Sequence, residues 1–247
     1  MKAINFIILT FLICSNSLGQ TKKIFDINET LIKDSTQFKT VQNFKKQDSA
    51  FYEDENYVVR KSCSGEWGGT IWFKNKNTGI EYSCEATCPV VVNKTEGKYI
   101  VTSTLAHMSG FSTVIEINTP DSLAIFKLPE PRNKKGKTKL YYIGDNESNS
   151  KKGTKQLVDT MGVLILATFN YKGELFHIVT DFEKTFVEKI ENKKFVIIDT
   201  ISNQSIWTYD PEVIKTSDNH SIVFFKNDEV NGFLDIFDNK INLIRYK

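Results

Sequence analysis

Short apolar runs recur along this chain, and they constrain its fold more than any other feature. Residues 70–73 (TIWF), 163–166 (VLIL) and 222–225 (IVFF) are rich in β-branched and aromatic residues, and each run is followed by a polar turn with a glycine. A strand with one face in water alternates apolar and polar residues, but these runs do not alternate. We therefore predict an all-β protein whose strands are buried on both faces, in stacked sheets or in the interior of a sandwich.

An internal repeat connects these runs. Residues 69–104 and 162–200 each contain a glycine, an apolar strand, a turn that ends in Gly79 or Gly173, a second strand and a closing hairpin. A third and shorter copy spans residues 221–244. The repeat predicts that one structural unit occurs several times along the chain.

The details of the repeat define the expected units. The closing hairpins turn at Lys98 in the first copy and at Lys194 in the second, and Gly232 occupies the turn position of the third copy. The first two copies are separated by about twice the ~40 to 50 residues of a propeller blade, which leaves room for one degenerate blade around residues 112–128. We predict that Gly69 and Gly162 begin equivalent strands in two blades separated by one other.

This strand-turn-strand periodicity over residues 50–247 resembles the irregular, secreted β-propeller proteins of Gram-negative bacteria. The resemblance rests on the repeats, because the chain has no Trp-Asp blade ending and no kelch double glycine in register. It implies a β-propeller-like fold of about five irregular blades, formed by residues 20–247 as a single domain. A large β-sandwich is the alternative, since it also contains many short strands with regular turns.

The first 19 residues have the pattern of a signal peptide. Lys2 supplies the positive charge, residues 6–13 form an apolar segment too short to span a bilayer, and a small-x-small triplet at residues 17–19 precedes Gln20. No later apolar run approaches the ~20 residues that cross a membrane. We expect a secreted or periplasmic protein that has no integral membrane segment after cleavage.

The charge balance argues against a nucleic-acid partner. Lysine and arginine total 32 and aspartate and glutamate total 30, which gives a net charge of +2. Only Arg60, Arg132 and Arg245 are arginines, although arginine is the usual residue for reading bases and phosphates. We therefore expect no nucleic acid among the partners. Hydrophobic residues make up 40% of the chain, including 18 phenylalanines, which is enough for a buried core.

One segment has a helical pattern. Residues 34–46 (DSTQFKTVQNFKK) place Phe38, Val41 and Phe44 at helical spacing behind Asp34, which is a candidate N-cap. The pattern predicts a short surface helix that packs against the sheets.

The cysteines indicate a disulfide. If Cys14 is removed with the leader, Cys63, Cys84 and Cys88 remain, so at most one intrachain disulfide forms. A zinc site would need two further ligands from separate elements, and a redox pair would need a helix after Pro89. We predict a Cys84–Cys88 disulfide, with Cys63–Cys88 as the alternative, and neither a metal nor another cofactor.

Candidate catalytic groups are few. His107 lies just past a strand, near Ser109, but no Gly-x-Ser-x-Gly motif is present. The carboxylates Glu66, Glu85 and Asp181 follow strands of the repeat and would form an acid and base pair if they met at one end of a propeller. The sequence predicts no catalytic residue, and His107 and Glu66 stay as binding candidates.

Binding is the favoured function. Trp67 is flanked by glycine in GEWGG, and an exposed tryptophan stacks well on sugar rings. We predict a non-catalytic binding or scaffolding module whose partner is an extracellular or periplasmic protein or glycan. The alternative is an exported, glycosidase-like hydrolase that uses carboxylates at one end of the propeller.

Overall fold

A computed structural model describes residues 23–44, 50–128, 130, 132–134, 138–140, 144–217 and 219–247. The proposed leader, residues 1–19, lies outside these described residues. The protein is all-β: 56% of the described residues are in strands, and these residues form no α-helix. The all-β prediction is confirmed.

Two sheets form the first half of the chain, and both are built mainly from antiparallel neighbours. Sheet I has the strand order β2-β3-β4-β5-β9: β2 (Tyr52–Glu53), β3 (Tyr57–Lys61), β4 (Thr70–Asn75), β5 (Glu81–Glu85) and β9 (Ala124–Ile125). Sheet II has the order β6-β7-β8-β12: β6 (Pro89–Thr95), β7 (Lys98–Leu105), β8 (Phe111–Ile117) and β12 (Thr154–Met161). A separate pair joins β10 (Arg132–Lys134) to β11 (Thr138–Leu140).

The strands of the second half of the chain form two further sheets, and the second of these sheets also contains β1. Sheet III has the order β13-β14-β15-β16: β13 (Leu164–Tyr171), β14 (Glu174–Thr180), β15 (Thr185–Glu191) and β16 (Lys194–Ser202). Sheet IV has the order β1-β20-β19-β18-β17: β1 (Asp26–Ile32), β17 (Glu212–Ser217), β18 (His220–Lys226), β19 (Asn231–Phe237) and β20 (Lys240–Tyr246). In the described residues, none of these sheets closes on itself.

The four sheets pack face to face in chain order, which explains the non-alternating strands. On β7, Val101 packs between sheets I and II, whereas its neighbour Ile100 packs between sheets II and III. The third and largest cluster joins sheets III and IV and includes Leu166, Phe176 and Leu234. Both faces of the inner sheets are therefore buried, as the run at residues 163–166 predicted. The other two runs lie in the outer sheets, where Phe126 covers Trp72 and Phe44 covers Phe224.

The repeat is only partly reproduced by the sheets. The second copy forms β13 to β16 within one sheet, but the first copy is divided, because β4 and β5 belong to sheet I and β6 and β7 to sheet II. Residues 112–128 do not form a separate unit either: β8 pairs with β7, and β9 pairs with β5. The described residues thus form four large sheets, whereas the repeat predicts about five units. Gly69 precedes a middle strand and Gly162 an edge strand, so the two positions are not equivalent.

Two local predictions fail for identifiable reasons. Gly232 lies within β19 and not in a turn, paired with Phe225 and Arg245. Glycine is needed there because the carbonyl oxygen of Ile244 approaches too closely for any Cβ atom. Residues 34–44 contain 3-10 helices at Ser35–Gln37 and Val41–Asn43 and no α-helix. Asp34 does cap the first 3-10 helix. The segment then extends at Phe38, whose ring stacks on Tyr246 at 4.2 Å.

A buried polar seam crosses the interface between sheets II and III. The hydroxyl of Thr168 lies 2.8 Å from the hydroxyl of Thr102 and 2.8 Å from Nδ1 of His177. A β-bulge in β13 frees the backbone N–H of Ile165, which donates to the hydroxyls of Thr104 and Ser112. These contacts satisfy polar groups that would otherwise be buried without partners.

The first strand completes the last sheet. β1 pairs in parallel with β20, with Asp26 opposite Lys240. Phe25 is buried against Phe169 and Phe176, and Arg245 of β20 donates to Glu29 at 2.6 Å and to Ser202 at 2.8 Å. The N-terminal strand is therefore integral to the core between sheets III and IV.

Candidate functional site

A cleft of about 1780 Å3 lies where strands from all four sheets meet. Its walls include the edge strands β2, β6 and β17, together with β3 and the end of β13. Aromatic side chains such as Phe51, Tyr52 and Tyr171 alternate there with lysines and carboxylates. More than half of the lining residues have charged, amide or hydroxyl side chains, so this cleft is more polar than the mostly apolar pockets that bind most small molecules.

Lysine side chains cap the edge of β6 inside the cleft. Lys61 donates from Nζ to the carbonyl oxygen of Pro89 at 2.7 Å, and Lys215 donates to that of Val92 at 2.8 Å. Lys215 also donates to the side chain of Asn93, whose amide donates to the carbonyl oxygen of Thr168 at 3.0 Å. Asn93 therefore links sheets II, III and IV at the wall of the cleft.

A charged cluster borders the cleft at the turn before β3. Lys94 donates to Asp54 at 2.8 Å and to Glu55 at 2.7 Å, and the hydroxyl of Tyr99 donates to Asp54 at 2.6 Å. Burial alone would raise the pKa of Asp54, but the hydrogen bonds from Lys94 and Tyr99 outweigh it and lower that pKa to about 2. The Asp54 carboxylate is thus fixed in its charged form and holds its two neighbours in place.

A disulfide stands beside the cleft, and it joins Cys63 to Cys88. The predicted Cys84–Cys88 pairing is wrong, because Cys84 faces the core between sheets I and II and is 0% exposed. Cys88 lies beyond the end of β5 with a left-handed backbone, and its Cα atom is 4.2 Å from that of Cys63. Burial raises the pKa of the Cys84 thiol to about 12, so this thiol is unreactive in the folded protein.

Close backbone packing supports this disulfide corner. A Cβ atom on Gly69 would lie 2.7 Å from the carbonyl oxygen of Ala86 and 2.8 Å from the nitrogen of Cys88, so only glycine fits there. Pro89, whose carbonyl binds Lys61, follows Cys88 directly. The disulfide therefore fixes one end of the cleft.

A second brace holds the loop that carries Trp67. The Glu147 carboxylate accepts hydrogen bonds from the hydroxyls of Ser62, Ser64 and Thr70, the latter two at 2.7 and 2.6 Å. Trp67 ends the short 3-10 helix Gly65–Trp67 that begins next to Ser64, and it is 58% exposed. An exposed indole thus sits on a loop that is fixed on both sides.

The other predicted residues are scattered over the surface. Glu66 is exposed beside Trp67, and His107 is exposed in the loop between β7 and β8. Glu85 forms an ion pair with Lys151 at 3.7 Å, whereas Asp181 accepts from the backbone N–H groups of Glu183 and Lys184. Glu85 belongs to sheet I and Asp181 to a turn of sheet III, and no contact among the described residues joins them.

Sequence reasoning missed Glu147 and the cleft. Glu147 lies 77 residues from Thr70 in a polar loop, and no spacing motif marks it. The cleft residues come from four sheets, so only the packing of the sheets brings them together. Pro89 opens the edge strand β6, and Pro211 directly precedes the edge strand β17. Because proline in sheets is found mainly at edges, these two residues are the local signal that both strands border open space.

Two features of the described residues concern ions and membranes. No group of three or more His, Cys, Asp or Glu side chains in the described part of the chain could hold a metal ion. No helix among the described residues is long and apolar enough to cross a membrane.

Comparisons with protein families, with curated proteins and with solved structures find no match to this chain.

Proposed function

We propose that this chain is an exported, propeller-like binding module that holds an extended glycan in the cleft. The four stacked sheets serve as irregular blades around it, since an edge strand or a near-edge strand of each sheet lines its wall. The cleft at this convergence is the observation that carries the proposal. The Cys63–Cys88 disulfide supports export, because disulfides persist in oxidising compartments.

The state of the strand edges favours a glycan over a peptide. An extended peptide would add to an open edge by backbone hydrogen bonds. Lys61 and Lys215 already donate hydrogen bonds to backbone carbonyl oxygens of β6, and Pro89 is the first residue of that strand. Pro211 precedes β17, and a bulge follows Lys215. Prolines, lysines and bulges are the features that block strand addition. Sugar binding instead uses aromatic faces and polar side chains, which this cleft offers.

The charges in the cleft favour binding over hydrolysis. A glycosidase needs a carboxylic acid with a raised pKa, and Asp54 has the opposite shift. Asp210 and Glu53 form ion pairs with Lys61 at 3.5 Å and with Lys76 at 2.5 Å. Both pairs are largely exposed and contribute little, whereas the Lys94–Asp54 pair, in which the side chain of Asp54 is largely buried, favours a preformed site.

The test is an array of oligosaccharides with neutral, amino and uronic acid sugars, followed by calorimetry on those that bind. We expect Ala50→Trp, which adds bulk at the cleft wall, to lower the affinity at least about tenfold. Trp67 is outside the cleft lining, but its loop follows the Cys63–Cys88 corner, so Trp67→Ala should weaken binding only of oligosaccharides long enough to extend past that corner. Phe182→Ala is the aromatic control, because Phe182 is exposed in the turn between β14 and β15, at the other end of sheet III from the cleft residues Asn170 to Lys172.

Two results would overturn this proposal. One is that no oligosaccharide binds, or that those which bind are unaffected by Ala50→Trp. The other is a steady release of reducing ends from a bound glycan, which would favour the hydrolase instead.

A further inference from the structure

The outer edge of sheet III differs from the edges that face the cleft. β16 is the last strand of its sheet, and none of the described strands pairs with its free side. Val196 is 38% exposed and Ile197 is 56% exposed. Between Phe195 and Ser202 this strand has neither a proline nor a lysine. β16 has bulges at Ile198 and Ile201, but its first half, Lys194 to Ile197, pairs with β15 without one, and an apolar edge without proline is a template for another strand.

The register with β15 shows which side chains of β16 share a face. Lys194, Val196 and Asp199 lie opposite Glu191, Lys189 and Val187. These three partners alternate along β15, so they and the residues opposite them project to one face. Phe195 and Ile197 lie opposite Ile190 and Glu188 and therefore project to the other face. Ile198 is the extra residue of a bulge, and it allows Val196 and Asp199 to share a face.

We propose that β16 pairs antiparallel with β16 of a second copy of this chain, about a two-fold axis at Val196. A two-fold axis perpendicular to the sheet keeps each side chain on its own face, so opposing residues must share a face. This register meets that condition. It places Val196 opposite the partner's Val196, and Phe195 opposite the partner's Ile197.

The same register is complementary in charge. Lys194 lies opposite the partner's Asp199, and symmetry repeats this pair on the other side of the axis. Lys194 is exposed and Asp199 is half-buried, with one carboxylate oxygen accepting the N–H of Thr200 at 3.0 Å. Opposite charges and apolar pairs across strands both stabilise pairing. The strand sequence KFVIIDT is thus complementary to itself, which argues for a second copy over an unrelated partner.

The first experiment places a cysteine at the symmetry axis. In a Val196→Cys variant the two thiols would face each other, with Cβ atoms about 4.5 to 5.5 Å apart, so mild oxidation should give a disulfide-linked dimer. Thr200→Cys is the matched control on the same exposed strand, because its two copies would be about 20 Å apart, six strand positions at ~3.3 Å each. Cys84 is buried and Cys63 and Cys88 are bonded, so they should not compete.

The second experiment uses sedimentation velocity without any cross-link. We expect the wild-type chain to associate reversibly with concentration, since a contact confined to one strand pair is small. Lys194→Glu should raise the dissociation constant about tenfold or more, because each dimer would then contain two repulsive pairs. Lys193→Glu makes the same charge change one residue away, in the turn before β16 and outside the paired strand, and should have little effect. Far-UV circular dichroism verifies that each variant is folded.

The proposal is overturned if Val196→Cys cross-links no faster than Thr200→Cys. It is also overturned if the wild-type chain stays monomeric up to its solubility limit, or if Lys193→Glu and Lys194→Glu weaken association equally.

Discussion

Glu188 and His177 lie opposite each other on β15 and β14, and burial favours the neutral form of both side chains. Burial lowers the pKa of His177 to about 3. Burial, helped by the negative charge of Asp181, raises the pKa of Glu188 to about 7. One oxygen of the Glu188 carboxyl, Oε2, is buried without a hydrogen-bond partner among the described residues. Ionisation of Glu188 above neutral pH therefore works against the folded state.

This gives a pH-dependent prediction for Glu188→Gln. A carboxyl group whose folded pKa is raised binds its proton more tightly in the folded protein, so stability falls as the pH rises from about 4.5 to about 7. At about pH 8 the variant should be more stable than the wild type, by up to the order of 3 kcal/mol. At about pH 4 the difference should nearly vanish, because Glu188 is then mostly protonated in both the folded and the unfolded protein.

Urea unfolding of both proteins at the two pH values measures the difference. His177 titrates below this range in the folded state and is present in both proteins, so its contribution cancels. An equal difference at both pH values would contradict the buried, proton-binding role of Glu188. The control is Glu183→Gln, which makes the same substitution at an exposed side chain in the turn before β15.

At the scale of the elements, the contact between sheets II and III combines apolar packing with the polar seam around Thr168. Thr168→Val has a similar shape but removes the hydroxyl, which leaves Thr102 and His177 each without a partner. We expect a loss of about 1 to 3 kcal/mol for each buried group left unpaired. Thr168→Ser keeps the hydroxyl and removes only a methyl group, so it should cost about 1 kcal/mol.

The free energy of unfolding, from urea titrations of both variants, checks this prediction. If Thr168→Ser destabilised the protein as much as Thr168→Val, then the packing of the methyl group would dominate and the seam would contribute little.

Individual strands were predictable from the sequence, but their assembly into sheets was not. Residues 70–73, 163–166 and 222–225 lie in β4, β13 and β18 or directly before them, because β-branched and aromatic runs favour strands in any sheet. The turns at Gly79 and Gly173 are also as predicted, since both glycines have positive φ angles. Neither signal says which neighbour a strand selects, so the division of the first repeat between two sheets was not foreseen.

The same limit applies to the candidate site. The exposure of Trp67 followed from its glycine neighbours, but its brace by Glu147 depends on a contact between distant loops. The predicted Cys84–Cys88 pairing is wrong because residues close in sequence are not always close in space. Cys84 and Cys88 are close along the chain, but Cys84 points into the core while Cys88 has left the strand.

At the scale of the whole molecule, the N-terminal strand couples the two ends of the chain. Phe25→Ala would leave a cavity among Phe169, Tyr171 and Phe176. We expect it to cost about 3 to 5 kcal/mol. Ile24→Ala is the matched control, because Ile24 is partly exposed and should cost less than about 1 kcal/mol.

Thermal unfolding of the two variants beside the wild type measures this coupling. A single cooperative transition shifted to lower temperature is expected for Phe25→Ala. Equal melting temperatures for the two variants would mean that β1 is dispensable to the core.

The parallel pairing of β1 with β20 also sets an order of events during synthesis. A chain emerges with its N-terminus first, so β1 is made before every other described strand, and its partner is made after them. Sheet III and most of sheets I and II join strands close in sequence and can form as they emerge, whereas sheet IV must close a loop that spans nearly the whole protein. Until then Phe25 and the aromatic surface that receives it stay in water, a state that chaperones recognise. Closure of this last ladder should therefore be the slow step in folding, and chains cut short before β20 should be the ones that proteases remove.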